Sequence, residues 1–183
     1  FKIEDRIKDS YGLSSKASNY EFLLKVCREN FKKFDIPKEQ HAEYGKRVKS
    51  ELSTIKELGF VDYILLVWTV INHCKETDIA VGLGRGSAAG SLVLYLLGVT
   101  KVDPIKYGLF FERFISKIRA KKQVVDGITY LDGSLMCDVD IDICYYSRHK
   151  VIKFIEKLFE GRTSKILTLT TLSGKLLIKE CGK

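Results

Sequence analysis

The sequence predicts an α/β (α+β) domain in which helices accompany short strands, and three observations carry that reading. Residues 19–75 place apolar side chains at helical spacing in three successive runs. Residues 79–97 read as strand, glycine-rich loop and helix, and residues 122–143 hold a hairpin signal followed by alternation of acidic and apolar side chains.

Each element has a local cause. Ser18 with Glu21 three residues later forms a capping box, and Tyr20, Leu23, Leu24, Cys27, Phe31 and Phe34 then predict a helix over 19–34. Pro37 suits the first turn of a second helix, striped by Tyr44, Val48, Leu52, Ile55 and Leu58 and ended by Gly59. Asp62 is placed to cap a third helix, Tyr63 to Lys75, which is apolar almost all round and therefore central to the core. Ile79, Ala80 and Val81 make a short buried strand that runs into the loop Gly82–Ser91 and then the apolar run Leu92–Leu97. Asp103-Pro104 opens a helix over 103–116, with Phe110, Phe111 and Phe114 packing inward. Lys122 to Leu131 alternates around Asp126-Gly127, a hairpin turn sequence, and Met136 to Ile143 has the period of two of a strand. Ser147 caps a helix whose Val151, Ile152, Phe154, Ile155, Leu158 and Phe159 face inward and which Gly161 closes; a strand near 165–170 and a helix near 172–181 follow.

A length of 183 residues suits about one domain. Hydrophobic residues at 45%, charged residues at 30% and only two prolines exclude a disordered, collagenous or membrane-embedded class. The longest apolar stretch, Tyr63 to Ile71, is about half the roughly 20 residues of a bilayer span, and no secretory leader opens the chain, so a cytoplasmic protein without a membrane partner is expected. Lys and Arg total 31 against 23 Asp and Glu, a net charge of +8. The excess lies towards the two ends, which is compatible with a polyanionic partner. The five cysteines lack CxxC spacing and read as reduced core thiols, and His41, His73 and His149 are scattered rather than set at zinc-ligand spacing.

Two constellations can carry chemistry. In the loop 82–91, Gly82, Gly84 and Gly86 let the backbone turn tightly and approach a ligand, while the first amides of the following helix favour a phosphate. Arg85 adds a forked cation and Ser87 a hydroxyl. The loop lacks the Gly-Lys-Ser/Thr of a Walker sequence, and its third glycine falls at 86 rather than at the position a dinucleotide fingerprint needs. The second constellation is Asp138, Asp140 and Asp142, which a strand would put on one face, opposite Val139, Ile141 and Ile143. Three carboxylates in register call for divalent cations, and hard oxygen donors select Mg2+ or Mn2+ over zinc. Joined, a phosphate cradle and a carboxylate pair make a nucleotidyl-transfer site with two metal ions.

The motifs Glu57-Leu58-Gly59-Phe60-Val61-Asp62-Tyr63, Val81 to Ser91, Asp103-Pro104, Tyr107-Gly108-Leu109, Phe111-Glu112-Arg113-Phe114 and Asp138-Val139-Asp140-Ile141-Asp142 resemble, in order, the palm of bacterial C-family replicative DNA polymerases, the DNA polymerase III alpha subunits. The resemblance implies a polymerase-beta-like nucleotidyltransferase palm, a twisted sheet flanked by helices, over residues 1–169, with an inserted hairpin near 122–133 and the start of a thumb at 170–183. It implies that Asp138 and Asp140 are the catalytic, metal-binding pair for two Mg2+ ions. Gly84, Arg85, Gly86, Ser87 and Arg113 would hold the incoming nucleotide, and Asp142 would be a structural acid. The implied partners are primer-template DNA, a dNTP, a complementary C-terminal polymerase chain or segment, and a sliding clamp reached through regions outside this chain.

The sequence departs from that family at several points. Cys137 stands where a proline is usual, and the stretch between Phe114 and Cys137 is longer. Leu169-Thr170-Thr171 replaces Phe-Gly-Thr, and Lys179-Glu180-Cys181-Gly182-Lys183 replaces Arg-Asp-Val-Gly-Arg. The family's third catalytic aspartate lies on a later segment. The expected function is therefore that of a palm fragment, or split N-terminal piece, of a DNA-directed DNA polymerase, active with the C-terminal part. Two alternatives stay open: a non-catalytic nucleotide- or DNA-binding module derived from the palm, and a template-independent nucleotidyltransferase.

Overall fold

Amphipathic helices build the core because their apolar stripes have only one another to cover them. The computed structural model describes residues 1–117, 122–125, 128–131, 137–167, 169, 171 and 173–182. Its helices are α1 (Asp5–Ser10), α2 (Asn19–Lys33), α3 (His41–Glu57), α4 (Val61–Glu76), α5 (Leu92–Leu96), α6 (Arg148–Leu158) and α7 (Gly174–Cys181). The chain divides into two units, Phe1–Val151 and Ile152–Lys183.

In the first unit α2 starts on the expected capping box, with the Ser18 hydroxyl accepting from the Glu21 amide and Glu21 reaching back to the Ser18 amide at 2.7 Å. Phe22, Leu23, Val26, Ile55, Ile64, Leu65, Ile71, Leu92 and Leu94 form the centre of the core. Trp68 and Tyr11 meet Phe22 edge to face, each at a centroid distance of 5.3 Å. Lys8 of α1 is buried, and its ammonium donates to the Ala17 carbonyl at 2.6 Å and the Ser15 carbonyl at 3.3 Å.

Several expected boundaries move. Pro37 precedes a short 3-10 turn, Lys38–Gln40, and the second α-helix proper begins at His41. Phe60 rather than Asp62 is the N-cap of α4; Asp62 lies inside its first turn, where its carboxylate accepts from the Asn19 amide nitrogen at 2.7 Å. Residues 103–116 form a single turn and the 3-10 segment Phe111–Arg113: Asp103 caps the turn by taking the Ile105 amide at 2.9 Å and the Lys106 amide at 3.2 Å, and the backbone leaves the helical path at Gly108 (φ +60°). Phe111 and Phe114 are buried there, but Phe110 is 68% exposed.

The α/β expectation, a twisted sheet flanked by helices, is corrected: this is a helical fold. Among the described residues the paired strands are one hairpin, β1 (Lys122–Val125) against β2 (Ile128–Leu131), with Lys122 opposite Leu131, and one isolated antiparallel bridge between Val81 and Ile143. The turn residues Asp126 and Gly127, and Met136, lie outside the described residues. The acidic segment alternates for a reason other than sheet formation. Val139 and Ile141 lean on the helical core while Asp138 and Asp142 are exposed, so an extended strip lying on helices satisfies the pattern. Its partner at 79–81 is too short to extend the pairing, and the backbone then turns away at Gly84 (φ +101°) and Gly86 (φ +68°).

In the second unit no strand occurs near 165–170 among the described residues, and Ile166, Leu167 and Leu169 are exposed. Ser173 caps α7, and its hydroxyl accepts from the Leu176 amide. Among the described residues no helix is long and apolar enough to cross a membrane.

Candidate active site

The bridge at Val81 and Ile143 determines what the glycine turn faces. The Gly82 amide donates to the Asp142 carbonyl at 2.9 Å and the Cys144 amide to the Ala80 carbonyl at 3.1 Å, so the entry to the turn lies alongside the acidic segment. Arg85 spans the result, with Nε 3.4 Å from Asp140 Oδ2 and Nη1 3.6 Å from Asp142 Oδ1. A Cβ on Gly86 would lie 3.2 Å from Asp140 Oδ2, and one on Gly82 would lie 3.0 Å from Asp142 Cβ. The structure thus brings Arg85 and Gly86 together with Asp140.

The other expected residues occupy distinct places. Gly86, Ser87, Ala89, Gly90, Leu109 and Arg113 line one cleft of about 220 Å³, with Arg113 supplied by the 3-10 segment across from the turn. Gly84 does not face that cleft; a Cβ there would lie 2.9 Å from Thr100 Cγ2, so it serves the packing of the loop. Asp138 is exposed and Asp140 half-buried. Beside them the Val139 amide donates to the Tyr63 hydroxyl, and burial foremost, with Cys137, Asp138 and Asp140 adding charge repulsion, raises the Tyr63 pKa. Cys137 is buried, which pushes its thiol up to about 12 and leaves it a packing residue.

The turn does not feed a helix directly. Gly86–Gly90 is a 3-10 turn, and α5 starts only at Leu92 with Ser91 as its N-cap. The amides expected to meet a phosphate at that helix start are already used. Glu51, fully buried on α3, accepts the Leu92 amide at 3.0 Å, the Val93 amide at 3.0 Å and the Ser91 hydroxyl at 2.9 Å. Arg47 completes the arrangement: Nε donates to Glu51 at 2.7 Å, and Nη2 donates to the Gly90 carbonyl at 2.9 Å and the Leu109 carbonyl at 3.0 Å. One guanidinium therefore ties the glycine turn to the segment that carries Arg113. The amides left over are those of Gly86 and Ser87, which the turn's own i to i+3 ladder does not use.

Sequence reasoning missed Arg47 and Glu51, although a signal was present. Glu51 falls between Val48 and Ile55 at helical spacing on the apolar stripe, where an acid is expensive unless paired.

Chemically, the arrangement offers hard oxygen donors at Asp138 and Asp140 and a cationic, amide-lined cleft. Both acids can be reached by solvent and so by a divalent cation, and their donor type fits Mg2+ or Mn2+. Among the described residues no group of three or more His, Cys, Asp or Glu is placed to hold a metal ion.

Residues 21–183 match the family described as Bacterial DNA polymerase III alpha NTPase domain. The chain is 42% identical over 139 residues to the DNA polymerase III subunit alpha of Chlamydia trachomatis, covering 75% of this chain and 10% of that protein. Against the subunit of Helicobacter pylori the identity is 34% over 186 residues, covering 100% of this chain and 14% of the relative. Against that of Bacillus subtilis it is 36% over 165 residues, covering 89% and 13%. The chain thus spans between 10% and 14% of the length of these relatives.

Proposed function

This chain belongs to the bacterial DNA polymerase III alpha NTPase domain family, and from that premise we propose that it forms the palm part of a DNA-directed DNA polymerase that carries the first two catalytic carboxylates and the triphosphate cleft. The observation that carries the reading is the contact of the glycine turn with the acidic segment, Arg85 Nε standing 3.4 Å from Asp140 Oδ2. The reaction is transfer of a nucleotide from a dNTP to a primer 3'-hydroxyl with release of pyrophosphate.

Asp138 and Asp140 would hold two divalent cations, Mg2+ or Mn2+, which supply the charge that activates the attacking oxygen and stabilises the leaving one. The protein's own part is positioning. Arg85 and Arg113 offer forked donors to phosphate oxygens, and the Ser87 hydroxyl with the Gly86 and Ser87 amides offers neutral ones. Arg85 restrains Asp140 and Asp142 until a triphosphate competes for its guanidinium. Asp142 anchors the segment through its backbone carbonyl on Gly82. The third carboxylate and any clamp contact belong to other parts of the polymerase.

The test is primer extension by the polymerase that contains this chain. Asp138→Asn and Asp140→Asn should each lower extension by at least about 100-fold, beyond the roughly 10- to 100-fold typical of residues that only orient a metal ligand. A second reading, a non-catalytic nucleotide- or DNA-binding module, is favoured by the two-acid cluster alone; extension unchanged in both variants, with nucleotide binding retained, would select it.

A further inference from the structure

The acidic segment leads directly into two side chains that the cleft does not use. Tyr145 and Tyr146 are 81% and 83% exposed, and their rings meet edge to face with centroids 5.8 Å apart. They stand on the 3-10 turn Tyr145–Ser147, which has a fixed base. The Cys144 amide donates to the Ala80 carbonyl at 3.1 Å, the Ser147 amide donates to the Cys144 carbonyl at 3.0 Å, and Ile143 bridges Val81. Two adjacent aromatic faces held in water on a rigid mount are unusual, since a tyrosine ring gains most when it is covered. The three residues that follow, Arg148, His149 and Lys150, are all exposed. Flat apolar faces beside unspent cations match a ligand with flat apolar groups on an anionic chain.

We propose that Tyr145 and Tyr146 form a stacking platform for the bases of a single nucleic-acid strand, with Arg148 and Lys150 taking phosphates of the same strand. The inference rests on the polymerase reading for the identity of the strand, and it deepens that reading by locating where unpaired template or primer end leaves the catalytic segment. Stacking of this kind tolerates any sequence because every base has a π face. A protein partner would also cover two tyrosines, but the basic run beside them favours a polyanion.

The test is fluorescence anisotropy of a fluorescein-labelled oligothymidylate titrated with the full chain. Both rings are largely exposed and meet chiefly each other, so Tyr145→Ala with Tyr146→Ala should leave the fold intact, as circular dichroism will verify. This double variant should bind about 5- to 150-fold more weakly, the ~1–3 kcal/mol of one stacked base. Tyr145→Phe with Tyr146→Phe should restore wild-type affinity, since phenyl keeps the stacking face. Arg148→Gln with Lys150→Gln should reduce the slope of log K against log salt by about 1.4, roughly 0.7 for each phosphate contact on a single strand.

Equal affinity in the alanine variant and the wild type would overturn the proposal and assign the tyrosines to a protein contact. A phenylalanine variant as weak as the alanine one, or a wild-type chain that binds no oligothymidylate, would overturn it as well. The polymerase reading is judged separately, by whether Mn2+-dependent binding of a dNTP is lost in Asp138→Asn.

Discussion

Replacing Glu51 with alanine removes the carboxylate on which the glycine turn closes. The wild-type group accepts four hydrogen bonds, from Arg47, Ser91, Leu92 and Val93, at 2.7 to 3.0 Å. Its loss leaves a largely covered guanidinium, a buried hydroxyl and two amides without their acceptor. Breaking a buried ion pair from one side costs about 3–5 kcal/mol, and this site is of that kind because Glu51 is 0% exposed. For a chain of this size such a loss lowers Tm by roughly 6–20 °C, at ~2–4 °C per kcal/mol. Glu51→Gln keeps one oxygen acceptor and should cost less, about 1–3 kcal/mol. Urea unfolding followed by the fluorescence of Trp68, the one tryptophan and a core residue, reads both variants. Burial, outweighing these hydrogen bonds, raises the Glu51 pKa above its ordinary 4.5, so the stability linked to its protonation is present below pH 4.5 and is lost as pH rises through the folded-state value. The advantage of wild type over Glu51→Gln should therefore shrink with rising pH. A Glu51→Ala protein within about 0.5 kcal/mol of wild type, the range of an ordinary surface change, would refute the reasoning.

Three further outcomes follow from the same geometry. Gly90→Ala places a Cβ 2.6 Å from the Phe110 carbonyl oxygen, so the backbone must shift; calorimetry should find dNTP affinity reduced by about tenfold or more, and unchanged affinity would show that the cleft is not the triphosphate site. Gly86→Ala forces a side chain into φ +68° beside Asp140, and chemical denaturation should record a loss of about 1–2 kcal/mol. Iodoacetamide at pH 8 should label exposed Cys181 first, then half-buried Cys144, and spare Cys27 and Cys137, whose burial pushes both thiols up to about 12; mass spectrometry of tryptic peptides decides the order.

The helices were legible wherever a local rule sufficed. Ser18 with Glu21 and the stripe of α3 act within a few residues, so the sequence shows them directly. The hairpin was legible for the same reason, since its strands pair across two intervening residues. The acidic segment misled because alternation reports one-sided burial, and Val139 and Ile141 find that burial on helices rather than in a sheet. Phe110 misled in the opposite way: Phe111 and Phe114 are buried, but the backbone leaves the helical path at Gly108 (φ +60°), so no continuous helix turns all three inward. The candidate site was legible in residue type and illegible in support. Arg85, Gly86 and the aspartates stand out by residue type, and the structure sets Arg85 and Gly86 beside Asp140, whereas Arg47 reaches Gly90 and Leu109 across separations of 43 and 62 residues, which no local pattern encodes.

The central claim is that the glycine turn and the acidic pair serve one ligand, and a double-mutant cycle on Mn2+-dependent dNTP binding tests it most directly. Asp140→Asn, Ser87→Ala and the pair are compared by calorimetry in the full chain. One shared site predicts a coupling of about 0.5–3 kcal/mol between the two changes, with Mn2+ ineffective in promoting nucleotide binding once Asp140 is neutral. Losses that add with no coupling, or nucleotide binding that keeps its full Mn2+ dependence in Asp140→Asn, would contradict the account.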